Sequence, residues 1–461
     1  MDLICKKSAT ELANLISKKE LSSKEVIEAH FNRISEVNPY LNAITLTLDE
    51  LALEAAEKAD NASDEDRKRP FHGVPFTVKE NIDLMGTPTT WGLPLLAEAI
   101  PPSNAPIVDR MIQAGAIPIA RTNLPELGLR LDTDNPLRGR TKNPWNKDLT
   151  PGGSSGGEAS AIASGMSPFG LGNDIGGSVR NPAYCCGIAS LKPSVGRIPY
   201  VVSMEPKDIG IARSFLSDGP MARSVNDLKI GLSILSGRHI FDPASVDVPL
   251  NGTIPKKPKA AIVKDISGFD IAQATIKELE RAKEILSDKG WIVDEVEAPE
   301  LDRVFEVWAS IMNAGFIQAT PKEVFKKETA DYLKRAEGEF VENTIPLGEA
   351  LIERQRLRRL WSKFLNEYSV CIGPTWTNLP WPIDTDLDPD TGINTTKKSF
   401  AFIVPGNCLG IPSIALPTGV SGGLPTGIQI YSDLYREDLC FLAAEIIEKE
   451  SKTPTPIDPV K

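Results

Sequence analysis

Pro151-Gly152-Gly153-Ser154-Ser155-Gly156-Gly157-Glu158 runs straight into residues 159–166, a stretch of good helix formers, so a glycine and serine loop opens a helix here. Its glycines admit unusual backbone angles and let N–H groups approach a ligand closely. A second cluster, Leu171-Gly172-Asn173-Asp174-Ile175-Gly176-Gly177-Ser178-Val179-Arg180, is entered from an apolar run and followed by Asn181-Pro182. Successive N–H groups of Ile175, Gly176, Gly177 and Ser178 would form a nest for a developing oxyanion, with the Ser178 hydroxyl beside it. Each cluster also has a plainer reading, the first as a flexible linker and the second as a tight turn with a capping serine. A phosphate loop is disfavoured, because no Gly-Lys-Ser/Thr follows.

Working outward, 105–114 reads as a helix and 116–120 as a strand, the βα alternation of a buried sheet. Upstream, Ser8-Ala-Thr-Glu is a capping-box pattern, Ser23 is placed to cap a second helix, 43–48 reads as a strand and 50–58 as a helix. Downstream, Ser224 caps a helix through Leu235, 260–263 reads as a strand, and 272–368 is mainly helical with a long charged helix from about Leu347. Short strands return at 370–374, 412–417 and 425–430, and 437–450 closes as a helix. The chain therefore reads as α/β.

The 461 residues carry a formal net charge of -11, which repels phosphate backbones, and no basic cluster exceeds Arg354-Gln-Arg-Leu-Arg-Arg; nucleic acid is not an expected partner. No run of about 18 apolar residues exists and the N-terminus lacks an apolar h-region, so the expectation is a cytoplasmic protein without membrane contact. The six cysteines, Cys5, Cys185, Cys186, Cys371, Cys408 and Cys440, form no CxxC pair, and reduced thiols with no bound metal are expected.

A serine attacks a carbonyl only when something takes its proton. Of the three histidines, His30 lies on an expected surface helix, His72 enters a turn and His239 follows a Ser-Gly-Arg loop, all reading as structural. Lysine is the remaining candidate. Lys79 sits in the β-branched run Phe76-Thr-Val-Lys-Glu-Asn, where burial would lower its pKa enough to make the neutral amine a base. Alone, it reads more readily as a snorkelling edge-strand lysine.

Together these segments resemble the amidase signature family, most clearly over 71–200, then in Gly219-Pro-Met-Ala-Arg-Ser, and more weakly in Asn407-Cys-Leu-Gly-Ile-Pro-Ser and Leu424-Pro-Thr-Gly-Ile-Gln. The resemblance implies one amidase domain over 1–461. Its central mixed β-sheet is covered on both faces by helices, with a more variable helical part between about 250 and 376 and a helical cover at about 265–369. It implies a Ser–cis-Ser–Lys triad: Ser178 as nucleophile, Ser154 as relay after a cis peptide, Lys79 as base. Ser155, Asp174 and Arg180 are implied as support for the loops. Asn173 departs from the Thr or Ser more usual before the Asp and is expected to do no more than local hydrogen bonding.

The implied reaction is hydrolysis of the carbon–nitrogen bond of a small, apolar or aromatic amide through a Ser178 acyl-enzyme, with esters or carbamates as side substrates. No cofactor is implied, and a monomer or homodimer is expected. Three alternatives stand beside it. A G-x-S-x-G elbow would make Ser155 the nucleophile with His239; a glutaminase subunit of a tRNA-dependent amidotransferase would share the same motifs; a non-catalytic relative would only bind. The substrate pocket is expected from variable segments, including 127–131, with Trp308, Trp376 and Trp381 as either pocket or core.

Overall fold

A computed structural model describes residues 1–202, 210–317, 320–341, 344–451 and 453–460. The chain opens with helices α1 (Ala9–Ser17) and α2 (Ser23–Leu41), strand β1 (Ile44–Thr47) and α3 (Asp49–Asp60). Then come β2 (Pro75–Lys79), α4 (Pro106–Gln113), β3 (Ile117–Thr122), α5 (Gly156–Ala163), β4 (Phe169–Asp174), α6 (Arg180–Cys186), β5 (Ala189–Lys192), β6 (Ser217–Ala222) and α7 (Val225–Leu235). The second half adds β7 (Lys259–Ile262), α8 (Gln273–Asp288), β8 (Ile292–Glu295), α9 (Leu301–Met312), α10 (Lys327–Val341) and α11 (Leu347–Glu367). It closes with β9 (Val370–Pro374), α12 (Gly392–Phe400), α13 (Val404–Cys408), β10 (Ser413–Ser421), β11 (Leu424–Tyr431) and α14 (Glu437–Glu450).

Among the described residues the strands form one 11-stranded sheet in the order β1-β3-β2-β4-β6-β5-β10-β11-β9-β7-β8. β2 runs parallel to β3 and β4, and β7 parallel to β8 and β9; the other pairs are antiparallel, so the sheet is mixed, as expected. Side chains alternate faces along a strand, and the core follows that period of two. Ile262, Ile372 and Ile430 face a cluster completed by Leu12, Met111, Leu228, Leu279 and Phe441 from α1, α4, α7, α8 and α14. Their neighbours Ala261, Cys371 and Tyr431 face the opposite cluster, with Val304, Leu333, Leu357 and Val404 from α9, α10, α11 and α13. Helices therefore cover both faces.

Local chemistry starts the helices. Ser8 and Glu11 form the expected capping box on α1. On α2 the box is Ser22 with Glu25, one residue earlier than the expected Ser23, which instead lies inside the helix. Ser224 caps α7, accepting the Asp227 N–H. The stretch expected as a helical cover splits: α8 packs on the first face and α9 to α11 on the second, with edge strand β8, absent from the sequence reading, between them. His30 is buried rather than on a surface, its Nδ1 2.8 Å from the Val26 carbonyl. The six cysteines are all buried and unpaired.

Candidate active site

β2 is buried along its whole length and ends on Lys79. From there Lys79 Nζ donates to Ser154 Oγ at 2.6 Å and to Asn173 Oδ1 at 2.9 Å. Burial drives the amine's pKa down to about 7, against the opposing pull of the Asp174, Asp218 and Glu158 carboxyls. Near neutral pH a large share of Lys79 is thus an uncharged amine. Ser154 follows a cis peptide from Gly153, as the family resemblance implied.

β4 delivers the second loop. At its end, Asp174 is held by five donors: the N–H groups of Gly177 (2.7 Å) and Val179 (3.2 Å), Arg180 Nε and Nη2 (both 3.0 Å), and Asn407 Nδ2 (2.8 Å). Burial alone would raise this carboxyl's pKa, but the Arg180 charge and these hydrogen bonds hold it well below the ordinary carboxylate range. Arg180 also reaches the Ile403 carbonyl, Gln429 and Asn407 at 2.6 to 2.9 Å, pinning the turn to the C-terminal half. Gly177 takes φ +99, where a side chain would meet Asn181 and Ile403.

One expectation for this turn needs correcting. The Gly177 N–H is engaged by Asp174, so of the four N–H groups expected to face an oxyanion, only those of Ile175, Gly176 and Ser178 have no hydrogen-bond partner among the described residues. The loops are joined directly, the Ser155 N–H donating to the Ser178 carbonyl at 3.0 Å. Ser178 and Ser154 line one cavity with Asn81, Trp91, Asn173 and Tyr200. Ser178 also lines an adjoining cavity with Leu129, Trp308, Met312, Tyr332 and Phe400. No described residue hydrogen-bonds the Ser178 hydroxyl.

A match to the amidase family spans residues 25–441. The chain belongs to the amidase family. It is 37% identical over 452 residues to an indoleacetamide hydrolase of Bradyrhizobium diazoefficiens, covering 96% of this chain and 86% of that one. It is 30% identical to a glutamyl-tRNA(Gln) amidotransferase subunit of Thermus thermophilus, covering 96% of each. Among solved structures it resembles a bacterial aryl acylamidase of the amidase signature enzymes, with TM-score 0.84, 25% identity and coverage of 97% and 96%. The amidase thus hydrolyses amide bonds, and no helix among its described residues is long and apolar enough to cross a membrane.

Ser155, the nucleophile of the elbow alternative, has a buried Oγ without a partner among the described residues, facing Gly172, and His239 bonds only within its own loop. Trp308 lines the adjoining cavity and donates Nε1–H to the Ile175 carbonyl at 3.2 Å. Trp376 and Trp381 instead stack on each other with ring centroids 4.5 Å apart, and Trp376 donates to Asn181, so both belong to the core. Leu127, Gly128 and Leu129 do line the cavities, as expected of 127–131.

Asn173 does more than the local bonding expected of it, accepting from Lys79 while exchanging two hydrogen bonds with Asn81 at 3.1 and 3.2 Å. The signal available was the Lys79-Glu80-Asn81 adjacency, which puts an amide beside the amine. Asp132, Asp384 and Asp386 bring carboxylate oxygens within 4.8 Å of one another. Arg130 and Arg140 bind all three, making this an ion-pair cluster that ties the 130–140 loop to 384–386.

Proposed function

We propose that this amidase cleaves a small arylacetamide or related aryl amide, with Ser178 as nucleophile, Ser154 as relay and Lys79 as base. The observation that carries the reading is the buried Lys79 Nζ to Ser154 Oγ contact of 2.6 Å, beside a cavity that Ser178 also lines. Neutral Lys79 takes the Ser154 proton as Ser154 takes that of Ser178, and the Ser178 Oγ–carbon bond forms. The oxyanion meets the N–H groups of Ile175, Gly176 and Ser178. Lys79 then returns the proton through Ser154 to the leaving nitrogen, the C–N bond breaks, and water cleaves the ester by the same relay, restoring Ser178. The donors need no movement at the moment of reaction, because Asp174, Ser155 and Arg180 fix the loop.

Two findings support an aromatic substrate: the aromatic wall of Trp308, Tyr332 and Phe400 beside Ser178, and the 37% identity to an indoleacetamide hydrolase. The test is a hydrolysis panel of indoleacetamide, aryl anilides, short aliphatic amides and glutamine, run on wild type, Ser178→Ala, Lys79→Ala and Ser155→Ala. Ser178→Ala and Lys79→Ala should each lower kcat/KM by about 10³-fold or more. A dead Ser155→Ala beside an active Lys79→Ala would sink the mechanism. Hydrolysis of glutamine alone, dependent on a stoichiometric partner, would favour the glutaminase reading, which the likeness to the Thermus thermophilus amidotransferase supports.

A further inference from the structure

Glu158 is the third residue of α5, the position from which a glutamate ordinarily reaches back to cap its own helix. Here the N-cap N–H, that of Ser155, is given to Ser178, and the Glu158 side chain turns into the sheet instead. Its two carboxyl oxygens accept from the hydroxyls of Thr77 and, at 2.7 Å, Thr122. Thr77 lies two residues before Lys79 on the same face of β2, and Thr122 is the β3 partner paired with Lys79 in the parallel ladder. Space for the carboxyl exists because β4 carries Gly170 opposite Thr77; a Cβ there would overlap the Glu158 carboxyl. A glutamate is thus buried at 0% exposure beneath the two strands that present the amine.

Other ionisable groups surround this pair. Asp174 on β4 is committed to Arg180. Asp218 on β6, opposite Asn173, has one carboxyl oxygen without a partner among the described residues, and burial pushes its pKa up to about 8, so it is largely neutral at pH 7. Arg121 on β3 is spent on Thr87 and on the carbonyls of Ile82 and Lys79. Glu158 itself is raised by burial to about 7, with its two threonine hydroxyls and the Lys79 charge drawing it back. The mechanism above uses none of its atoms.

We propose that Glu158 is a positioning residue acting through Lys79: its buried carboxyl, when charged, favours the protonated amine and thereby shifts the pH at which Lys79 becomes a working base. This rests on the Ser178, Ser154 and Lys79 reading. A purely structural Glu158, tying α5 to β2 and β3, would support the fold and leave that pH untouched. The two roles differ in what an isosteric amide does. The variant Glu158→Gln keeps the shape, and both threonine contacts once one hydroxyl turns to accept from the amide, but removes the charge, so Lys79 loses its proton at lower pH.

The measurement is the rate constant for Ser178 labelling by a fluorophosphonate as a function of pH, for wild type, Lys79→Met, Glu158→Gln and Thr122→Val. Wild type should show an acid limb near pH 7 that Lys79→Met abolishes. In Glu158→Gln the limb should move down by about half a unit or more, so labelling at pH 6, relative to its plateau, rises about threefold. Thr122→Val, which keeps the carboxyl but removes one donor to it, should move the limb the same way by less, and it decides the matter if Glu158→Gln does not fold. A limb unmoved in the folded variants overturns this inference and leaves the triad standing; a wild-type limb that survives Lys79→Met overturns both.

Discussion

Lys79 is held in a place that costs the protein stability and, in the proposed mechanism, gives it a base. Its pKa is about 7 in the fold and near 10.5 in the unfolded chain, so between those values the unfolded chain binds a proton that the native state does not. Stability should therefore rise with pH from about 7 to 10, and below 7 the burial penalty is fully present. Lys79→Met should flatten that rise and hold or raise Tm at pH 7, while lowering kcat/KM by about 10³-fold or more; thermal melts across pH, paired with turnover, check both halves. In wild type, kcat/KM should climb with pH through about 7. Asn173→Ala removes one acceptor from the amine and should cost about 1–3 kcal/mol of transition-state stabilisation, seen in kcat more than in KM, with Asn173→Thr retaining more activity than Asn173→Ala.

At the level of elements, the turn between β4 and α6 depends on one buried ion pair. Arg180→Ala would leave Asp174 charged and without its guanidinium at 0% exposure, and about 3–5 kcal/mol of stability should be lost, measurable by urea titration. This is also where the sequence was most legible. A turn at positive φ, packed against the Asn181 and Ile403 side chains, restricts what residues can occupy it, so Gly177, Ser178 and Asp174 announce themselves locally. The capping box at Ser8 and the cap at Ser224 were readable because they too are local. What stayed hidden rests on contacts with no local period. β8 has no apolar alternation, its four residues being half-buried or exposed. Asn173 meets Lys79 across 94 residues of sequence, and Glu158 meets Thr77 across 81. His30 looked like a surface residue because α2 is sandwiched between neighbours that the sequence does not name.

On the scale of the whole molecule, the sheet separates two cores, and changes in each should be felt differently. Leu191→Ala, in the cluster away from the cavities, should lower stability by about 2–5 kcal/mol and leave KM unchanged. Trp308→Ala, whose ring lines the adjoining cavity, should raise KM for aryl amides more than for short aliphatic ones; the ratio of the two, measured on the same preparation, is the check. The resemblance in sequence was strongest where the proposed reacting groups lie and weakest between about 250 and 376, the stretch that carries Trp308, Met312 and Tyr332.

That division has a practical consequence. The proposed nucleophile, relay and base all fall between Lys79 and Ser178, whereas Trp308, Met312, Tyr332 and Phe400 come from α9, α10 and α12. The proposed chemistry and the aromatic wall beside Ser178 are thus written in separate stretches of the chain, although Leu129 and its neighbours join that wall from the first half. A library that varies Met312, Tyr332 and Phe400 can therefore be screened for new amides with the cutting apparatus left as it is.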